Sequence, residues 1–464
     1  MAETLLDKIW DAHVVARRGD GRDLLYIDRH VVHELHGPHA LKHIEDKNRS
    51  VRRPDLTVCV QDHTVPTQPG LPKASQHIEA MRAGARRHNL TLLDVGDAQQ
   101  GIVHVVSPEL GIALPGLTLA CPDSHASTVG ALGTLAFGCG TSELEHVLAT
   151  QVIAMHKPKQ MRVRFNGTLA SGVSAKDGAL HLIRVVGVDA GRGFAVEYAG
   201  PAIEAMDVES RLTLCNLTIE WGARTGLIAP DDKTFSYCSG RPSAPSGADW
   251  DAATNWWRTL RTDADAKFER EVEIDCASLE PQITWGTDPG QVVGVSERIP
   301  DPAEIEASLQ PKLQRALDYM GLAPGERIAG LPIDRVFIGS CANARLSDLR
   351  TAAAIVRGRK VAKGIKAIIV PGSSTVKHLA EREGLDDVFL SAGFEWRDSG
   401  CSMCAGANGD TAQPGERCIS TTNRNFENRQ GRGVRTHLAS PAMAAAAAIA
   451  GHIVDVRHVA AVEA

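Results

Sequence analysis

Val336-Phe337-Ile338-Gly339-Ser340-Cys341-Ala342-Asn343 is a short β-rich run that ends in Gly-Ser-Cys. It predicts a strand whose carboxyl end presents a thiol. Downstream, Asp398-Ser399-Gly400-Cys401-Ser402-Met403-Cys404 adds a glycine-introduced C-x-x-C loop. Ligand residues at strand carboxyl ends belong to parallel α/β sheets, and three thiolates suit one soft metal centre. A four-iron cluster normally takes four cysteines, so three would leave one iron open as a Lewis acid. Taken alone, a C-x-x-C among ten cysteines reads equally as a redox pair, half a zinc site or chance.

The rest of the chain narrows the choice. Its 464 residues, 43% of them hydrophobic, suffice for a large core shared among two to four domains. With 4% aromatics and 43 glycines, α/β domains with many tight turns fit better than an aromatic-rich sandwich. A net charge of −6 argues against a general nucleic-acid or membrane-surface role, so any anion binding must come from local arginines. The leading Met1-Ala2-Glu3-Thr4-Leu5-Leu6-Asp7 lacks the basic start of a signal peptide, and no stretch is apolar enough to span a bilayer. A cytoplasmic protein with reduced cysteines is expected.

Up to about residue 160, strand-like runs (Asp23–Asp28, Leu56–Val60, Leu90–Val95) alternate with helical patterns such as Gln76–His88. Polar clusters follow the strands: Asp62-His63, then His104 within Gly101-Ile102-Val103-His104-Val105, then Asp123-Ser124-His125 after Leu117–Cys121. A second unit, 161–290, opens with Met161-Arg162-Val163-Arg164-Phe165 and carries Asn216 and Glu220, four residues apart and so expected on one helix face. Residues 239–250 read as a surface excursion and 287–303 as a linker. The third unit, 291–464, holds the cysteines, strands at Val336–Ile338 and Ala367–Val370, and a helix with Ser440 as N-cap, Pro441 at its first turn and Gly451 beyond its end.

Histidine–aspartate pairs at strand ends are suited to moving protons, because a carboxylate fixes the imidazole tautomer and raises its basicity. Singly, Asp62-His63 or Asp123-Ser124-His125 is more often a structural loop pair. His30, His33, His36, His39 and His43 resemble a zinc helix in spacing, but Gly37-Pro38 interrupts it. One or two functional histidines among solvated ones are expected there. The loop from Thr422 to Gly433 is rich in arginine and glycine, and on composition a solvated or RNA-binding segment outweighs a carboxylate clamp.

Taken together, these stretches resemble the aconitase superfamily, most closely its bacterial isopropylmalate dehydratase branch. The motifs run nearly end to end: Lys8-Ile9-Trp10-Asp11-Ala12-His13, Tyr26-Ile27-Asp28-Arg29-His30, Thr141 through Gln151, Ile283-Thr284-Trp285-Gly286-Thr287 and Ser440 through Gly451. The resemblance implies three α/β/α domains with mostly parallel sheets around a central cluster cleft, without a swivel domain. It implies that Cys341, Cys401 and Cys404 hold one [4Fe–4S] cluster and that Cys418 is not a ligand. It also implies a dehydration and rehydration that converts 2-isopropylmalate to 3-isopropylmalate through isopropylmaleate, a step of leucine biosynthesis. Asp62, His63, His104, Asp123, His125 and Glu220 match catalytic positions, His63 as the acid toward the leaving hydroxyl. His39, Ser124, Asn216, Arg424 and Arg429 match substrate-binding positions, which reverses the compositional reading of the arginine loop. Asn343 matches a cluster-supporting residue. The family's base, a serine, and a further arginine lie in a swivel domain that this branch carries as a separate small subunit. A heterodimer, or a dimer of heterodimers, is therefore expected, with a small dicarboxylic acid as substrate and no nucleic acid or membrane partner.

Several positions depart from that pattern. His39 stands where the family commonly has Gln, Pro122 replaces Gly before Asp-Ser-His, and Ala342 and Ala344 replace Thr and Ser around Asn343. Ala405-Gly406-Ala407 and Gly191-Arg192-Gly193-Phe194-Ala195 also differ. The ligands and proton-transfer residues match while their neighbours change, so the chemistry is better defined than the substrate side chain. A methyl- or dimethyl-substituted malate, or another 2-hydroxy diacid, is the alternative substrate. An RNA-binding regulator and an electron-transfer protein, the latter with Cys418 as fourth ligand, are the readings from other classes.

Overall fold

The computed structural model describes residues 2–460; Met1 and 461–464, the outer ends of the first and third expected domains, lie outside them. The chain divides into two compact units of interleaved segments. The first takes the residues up to Val65, Lys73–Gly167 and Asp189–Ile274; the second takes Pro66–Pro72, Thr168–Val188 and the residues from Asp275 onward.

In the first unit a parallel five-stranded sheet runs in the spatial order Thr91–Leu93, Thr57–Val60, Arg29–His33, Thr118–Cys121, Leu135–Gly138. The strand that is first in sequence lies in the middle, so the chain winds outward to one side and then to the other. That order opens a crevice at the carboxyl ends of Arg29–His33 and Thr118–Cys121, where the following segments diverge. The helix Gln76–His88 coincides with its sequence pattern because both ends are marked: the Ser75 side chain accepts from the Ile78 N–H, and Asn89 takes the left-handed conformation at φ 54°. A second sheet orders Thr225–Ile228, Phe194–Ala199, Lys159–Asn166 and Arg270–Asp275. Along Lys159–Asn166, Met161, Val163 and Phe165 are buried in alternation, as period-two patterning requires.

The second unit repeats the same winding. Its five-stranded parallel sheet runs Glu395–Trp396, Lys366–Ile369, Arg335–Ile338, Arg417–Ser420, Arg435–Leu438, with the crevice after Ile338 and Ser420. The Ser440 side chain caps helix Pro441–Ala450 by accepting from the Met443 N–H, and Gly451 closes it at φ 75°. Ala442 through Ala448 are all buried, and the helix packs on helix Leu346–Val356 and on strand Arg335–Ile338.

Other expectations give way. His104 lies on helix Val103–Glu109 and not at a strand end, although its β-branched neighbours favour a strand. The Asp62 carboxylate accepts from the Val103 N–H at 2.9 Å and so caps that helix from a distant segment. Helix Val208–Leu217 stops short of Glu220, which sits on the 3-10 turn Thr218–Trp221 closed by Gly222 at φ 85°. Gly37-Pro38 begins helix Gly37–Asp46 instead of breaking one, since proline's missing N–H is harmless in a first turn; His30 and His33 lie on the preceding strand. The expected linker 287–303 contains Val292–Gly294, buried and paired antiparallel with Gln282–Thr284. Helix Ala248–Trp257 begins inside the expected excursion. Among the described residues no helix is long and apolar enough to cross a membrane.

Candidate active site

The crevice of the first unit gathers histidines and carboxylates from four chain segments. Asp62 and His63 follow strand Thr57–Val60, and Asp62 Oδ1 lies 2.5 Å from His63 Nδ1. The other face of the imidazole edge, Nε2, lies 3.4 Å from Asp123 Oδ2, beyond strand Thr118–Cys121. His104 Nε2 lies 3.1 Å from Asp123 Oδ1, within ion-pair reach but off-line for a hydrogen bond. Asp123 Oδ1 accepts from the His125 N–H at 2.7 Å, and His125 Nε2 meets Glu220 Oε1 at 2.7 Å. Asn216 Nδ2 donates to Thr128 Oγ1 at 2.8 Å, just behind this chain of contacts. Asp62, His63, His104, Asp123, His125 and Glu220 are thus one connected set.

Electrostatics set the proton state of that set. Burial opposes a charged His63, but the Asp62 carboxylate and then Asp123 outweigh it and raise its pKa well above the ordinary imidazole value. Burial likewise opposes ionisation of Asp123, yet the surrounding imidazoles, His104 foremost, hold its carboxyl well below the usual range. His33 behaves oppositely. Burial, then the nearby His63, push its pKa down to about 3, so it is a neutral ring stacked on His63 at 4.3 Å between centroids. Its Nε2 donates to the Pro122 carbonyl at 3.2 Å and its Nδ1 accepts from the Leu35 N–H at 3.3 Å, a tautomer assigned from these partners.

His33, Glu34, Asp62 and His63 place ligand-type atoms within 4.8 Å of one another. Glu34 accepts from the backbone N–H groups of Asp62 and Thr64, His33 is engaged at both nitrogens and Asp62 meets His63 Nδ1, which leaves His63 Nε2 as the group of the quartet turned toward Asp123. Ser124 lines a cavity of about 990 Å³ together with Pro122, Cys139, Lys159, Arg192 and Arg224. His39 is exposed on helix Gly37–Asp46.

In the second unit Cys341 follows the central strand Arg335–Ile338, and Cys401 and Cys404 lie on the loop after edge strand Glu395–Trp396. Ser340 at φ 83° and Ser402 at φ 47° put left-handed turns next to these thiols, strain on the order of 1–2 kcal/mol each for a non-glycine residue. Asn423, across the crevice after strand Arg417–Ser420, donates to Cys341 Sγ at 3.5 Å and faces Cys404 Sγ at 3.6 Å. One amide therefore reaches two of the three sulfurs. The Cys404 N–H donates to the Cys401 carbonyl at 3.0 Å, which holds the third close by in the chain. Three soft donors on strained loops at a sheet crevice fit an iron–sulfur cluster. Cys418 does not join them. It lies on strand Arg417–Ser420 in an apolar cluster with Phe337, Ile368 and Met403, and burial pushes its thiol up to about 12.

Asn343 donates to Asp348 Oδ1 at 2.9 Å, and its carbonyl accepts from Thr421 Oγ1 at 3.1 Å. Arg424 and Arg429 are half-buried on the following loop, and Arg429 Nε is buried without a hydrogen-bond partner among the described residues. An orphaned guanidinium donor of this kind suits an incoming carboxylate. Sequence reading missed Lys176, wholly buried, whose ammonium donates to the Thr421 and Thr422 carbonyls and pins the start of that loop. It also missed Glu34 and a role for Asn423, and it left His33 undistinguished among five spaced histidines of which one or two were expected to be functional. Only the polar character of Asn423 and the neighbouring Arg424 hinted at them, because their partners are distant in sequence.

The model of the aconitase family (aconitate hydratase) matches residues 7–451. The chain is 54% identical over 459 residues to "3-isopropylmalate dehydratase large subunit 1" of Bradyrhizobium diazoefficiens strain USDA 110, covering 98% of this chain and 96% of that one. A solved structure of aconitase X from Thermococcus kodakaraensis, in its holo form, aligns with a TM-score of 0.45 at 12% identity, over 91% of this chain and 89% of that one.

Proposed function

Because the chain belongs to the aconitase family, we propose that it acts as the large subunit of a hydro-lyase that interconverts 2-isopropylmalate and 3-isopropylmalate by dehydration and rehydration through isopropylmaleate. The observation that carries this reading is the end-to-end likeness to a dehydratase large subunit, 54% over 98% of the chain. Cys341, Cys401 and Cys404 would hold one [4Fe–4S] cluster, which would supply Lewis-acid chemistry toward the substrate hydroxyl and carboxylate. Arg424 and Arg429 bind substrate carboxylates, with Asn343 supporting the cluster loop and Ser124, Asn216 and His39 contributing substrate contacts.

His63 is the acid. Asp62 holds Nδ1–H, which leaves Nε2–H as the proton that can be delivered to the departing hydroxyl. The raised pKa keeps that proton in place near neutral pH. His104 and His125, joined through Asp123 and Glu220, relay protons to and from the set. The carbon-bound proton goes to a serine on a separate small subunit, so the chain requires that partner, as a heterodimer or a dimer of heterodimers, and works in the cytoplasm in branched-chain amino acid synthesis. Three mostly parallel sheets, centred on Arg29–His33, Lys159–Asn166 and Arg335–Ile338, support a division into domains 1–160, 161–290 and 291–464, alongside two smaller antiparallel sheets.

Anaerobic reconstitution with the cognate small subunit, followed by a panel of alkyl-substituted malates and maleates, tests the reading. Isopropylmalate turnover well above that of methyl- and dimethylmalate supports it. A preference for a smaller side chain moves the assignment to a paralogous dehydratase, a result for which His39 in place of the usual Gln is the motive. Turnover of none of them refutes it.

A further inference from the structure

We propose that Glu34 is a positioning residue for the reaction, its carboxylate clamping the two backbone N–H groups that bracket His63. Glu34 follows strand Arg29–His33 and is 0% exposed. Its Oε2 accepts from the Asp62 N–H at 3.0 Å and its Oε1 from the Thr64 N–H at 2.5 Å. The ladder between strands Arg29–His33 and Thr57–Val60 ends with His33 opposite Val60; beyond it the Gln61 N–H still reaches the Leu93 carbonyl, while the Asp62 and Thr64 N–H groups take Glu34 in place of a strand partner. Buried and unpaired, each would cost about 1–3 kcal/mol. A side chain reaching from the end of the neighbouring strand takes over where the ladder stops.

The same dipeptide works twice. His33 lies flat against the His63 ring, 28° from parallel, while Glu34 fixes the backbone on either side of that ring. Asp62 holds Nδ1 from the third direction. With face, edge and backbone fixed, His63 has one orientation available, which is what delivery of a proton from Nε2 requires. Both oxygens of Glu34 accept, the role an ionised carboxylate fills at both ends. Burial, and then the Asp62 charge, push the acid up to about 7, which is a cost the fold bears to hold this turn. Glu34 touches neither sulfur nor reacting atom and acts through His63.

The inference rests on His63 as the proton donor, and its test keeps the two separable. Glu34→Gln presents an amide NH2 to one of the two N–H donors and so breaks half of the clamp; Glu34→Asp keeps the charge with a shorter reach. In the reconstituted complex with its small subunit, Glu34→Gln is expected to lower kcat about 10- to 100-fold with KM within about twofold and cluster absorbance unchanged. Amide exchange of the segment 61–65 should accelerate about tenfold, while Leu135–Gly138 exchanges as before. Glu34→Asp should recover part of both losses, and it serves as the measurable variant if Glu34→Gln does not fold. Unchanged exchange at 61–65, or kcat within twofold of the parent, overturns the proposal. Faster exchange at 61–65 together with inactivity of parent and variant on every alkylmalate would sink the substrate assignment and leave the clamp standing.

Discussion

Replacing Cys418 by alanine distinguishes an open cluster from a closed one. Cys418 is fully buried among Phe337, Ile368, Val370, Met403, Ala412 and Val434, and none of these is a metal ligand type except through the thioether of Met403. The substitution deletes one heavy atom. Its lost transfer energy is about 0.8 kcal/mol, and a residual void on the order of 20 Å³ adds about half as much again. The variant should therefore lose roughly 1 kcal/mol of stability and keep its cluster. Iron and acid-labile sulfide per chain, with visible absorbance after anaerobic reconstitution, read the cluster directly, and a thermal melt of the same sample reads the packing loss. Cys401→Ala provides the contrast and should lose the cluster. Cys418→Ala that melts normally but takes up no iron would refute the three-thiol assignment and turn the protein into an electron carrier.

Asp62→Asn removes the charge beside His63 Nδ1 and should lower kcat about 10²- to 10⁴-fold while the protein retains its fold, measured by steady-state turnover alongside circular dichroism. Glu197, buried on strand Phe194–Ala199, has its pKa raised from 4.5 to about 7 by burial, against the Thr262 hydroxyl that donates to it at 2.6 Å. The folded state then binds the extra proton between those values, so the stability from this group is complete below about pH 4.5 and is lost as pH rises through 7. Glu197→Gln should gain on the parent by up to about 3 kcal/mol at pH 8 relative to pH 5 in urea melts; an equal gap at both pH values would contradict this. A Cβ on Gly130 would lie 1.7 Å from the Gly226 carbonyl oxygen, so Gly130→Ala should destabilise by at least about 3 kcal/mol. A thermal midpoint equal to the parent's would show that this contact is loose.

Where structure follows from neighbours in sequence, reading the chain succeeded. Ser75 and Asn89 bound one helix and Ser440 and Gly451 another, and in both cases the marks are local. The strand before Cys341 announces itself by its apolar run and the following Gly-Ser. Failures arise where a distant group overrides local preference. Val103-His104-Val105-Val106 is β-branched in three of four positions, yet it is helical with an N-terminal amide bonded to Asp62, forty-one residues away. Glu34 went unnoticed for the same reason, since its partners lie 28 and 30 residues on. Asp62, His63, Asp123 and His125 were legible as a candidate set because strand ends place them together once the sheet is assumed. The sulfur contact of Asn423 depends on the order of strands, which no local pattern encodes.

The alanine helix Pro441–Ala450 has a bearing on where this chain tolerates drift. Side chains of one carbon let its axis come close to strand Arg335–Ile338, and three residues past that strand is Cys341. The helix works as a gauge block, a spacer whose thickness sets the height of a sulfur. A leucine or methionine among the buried alanines 444–448 would overpack this helix, a loss that a thermal melt reads. Under the proposed three-thiol site, the packing of this helix would then bear on coordination geometry, which tolerates only a few tenths of an ångström, from a helix remote from the thiols in sequence.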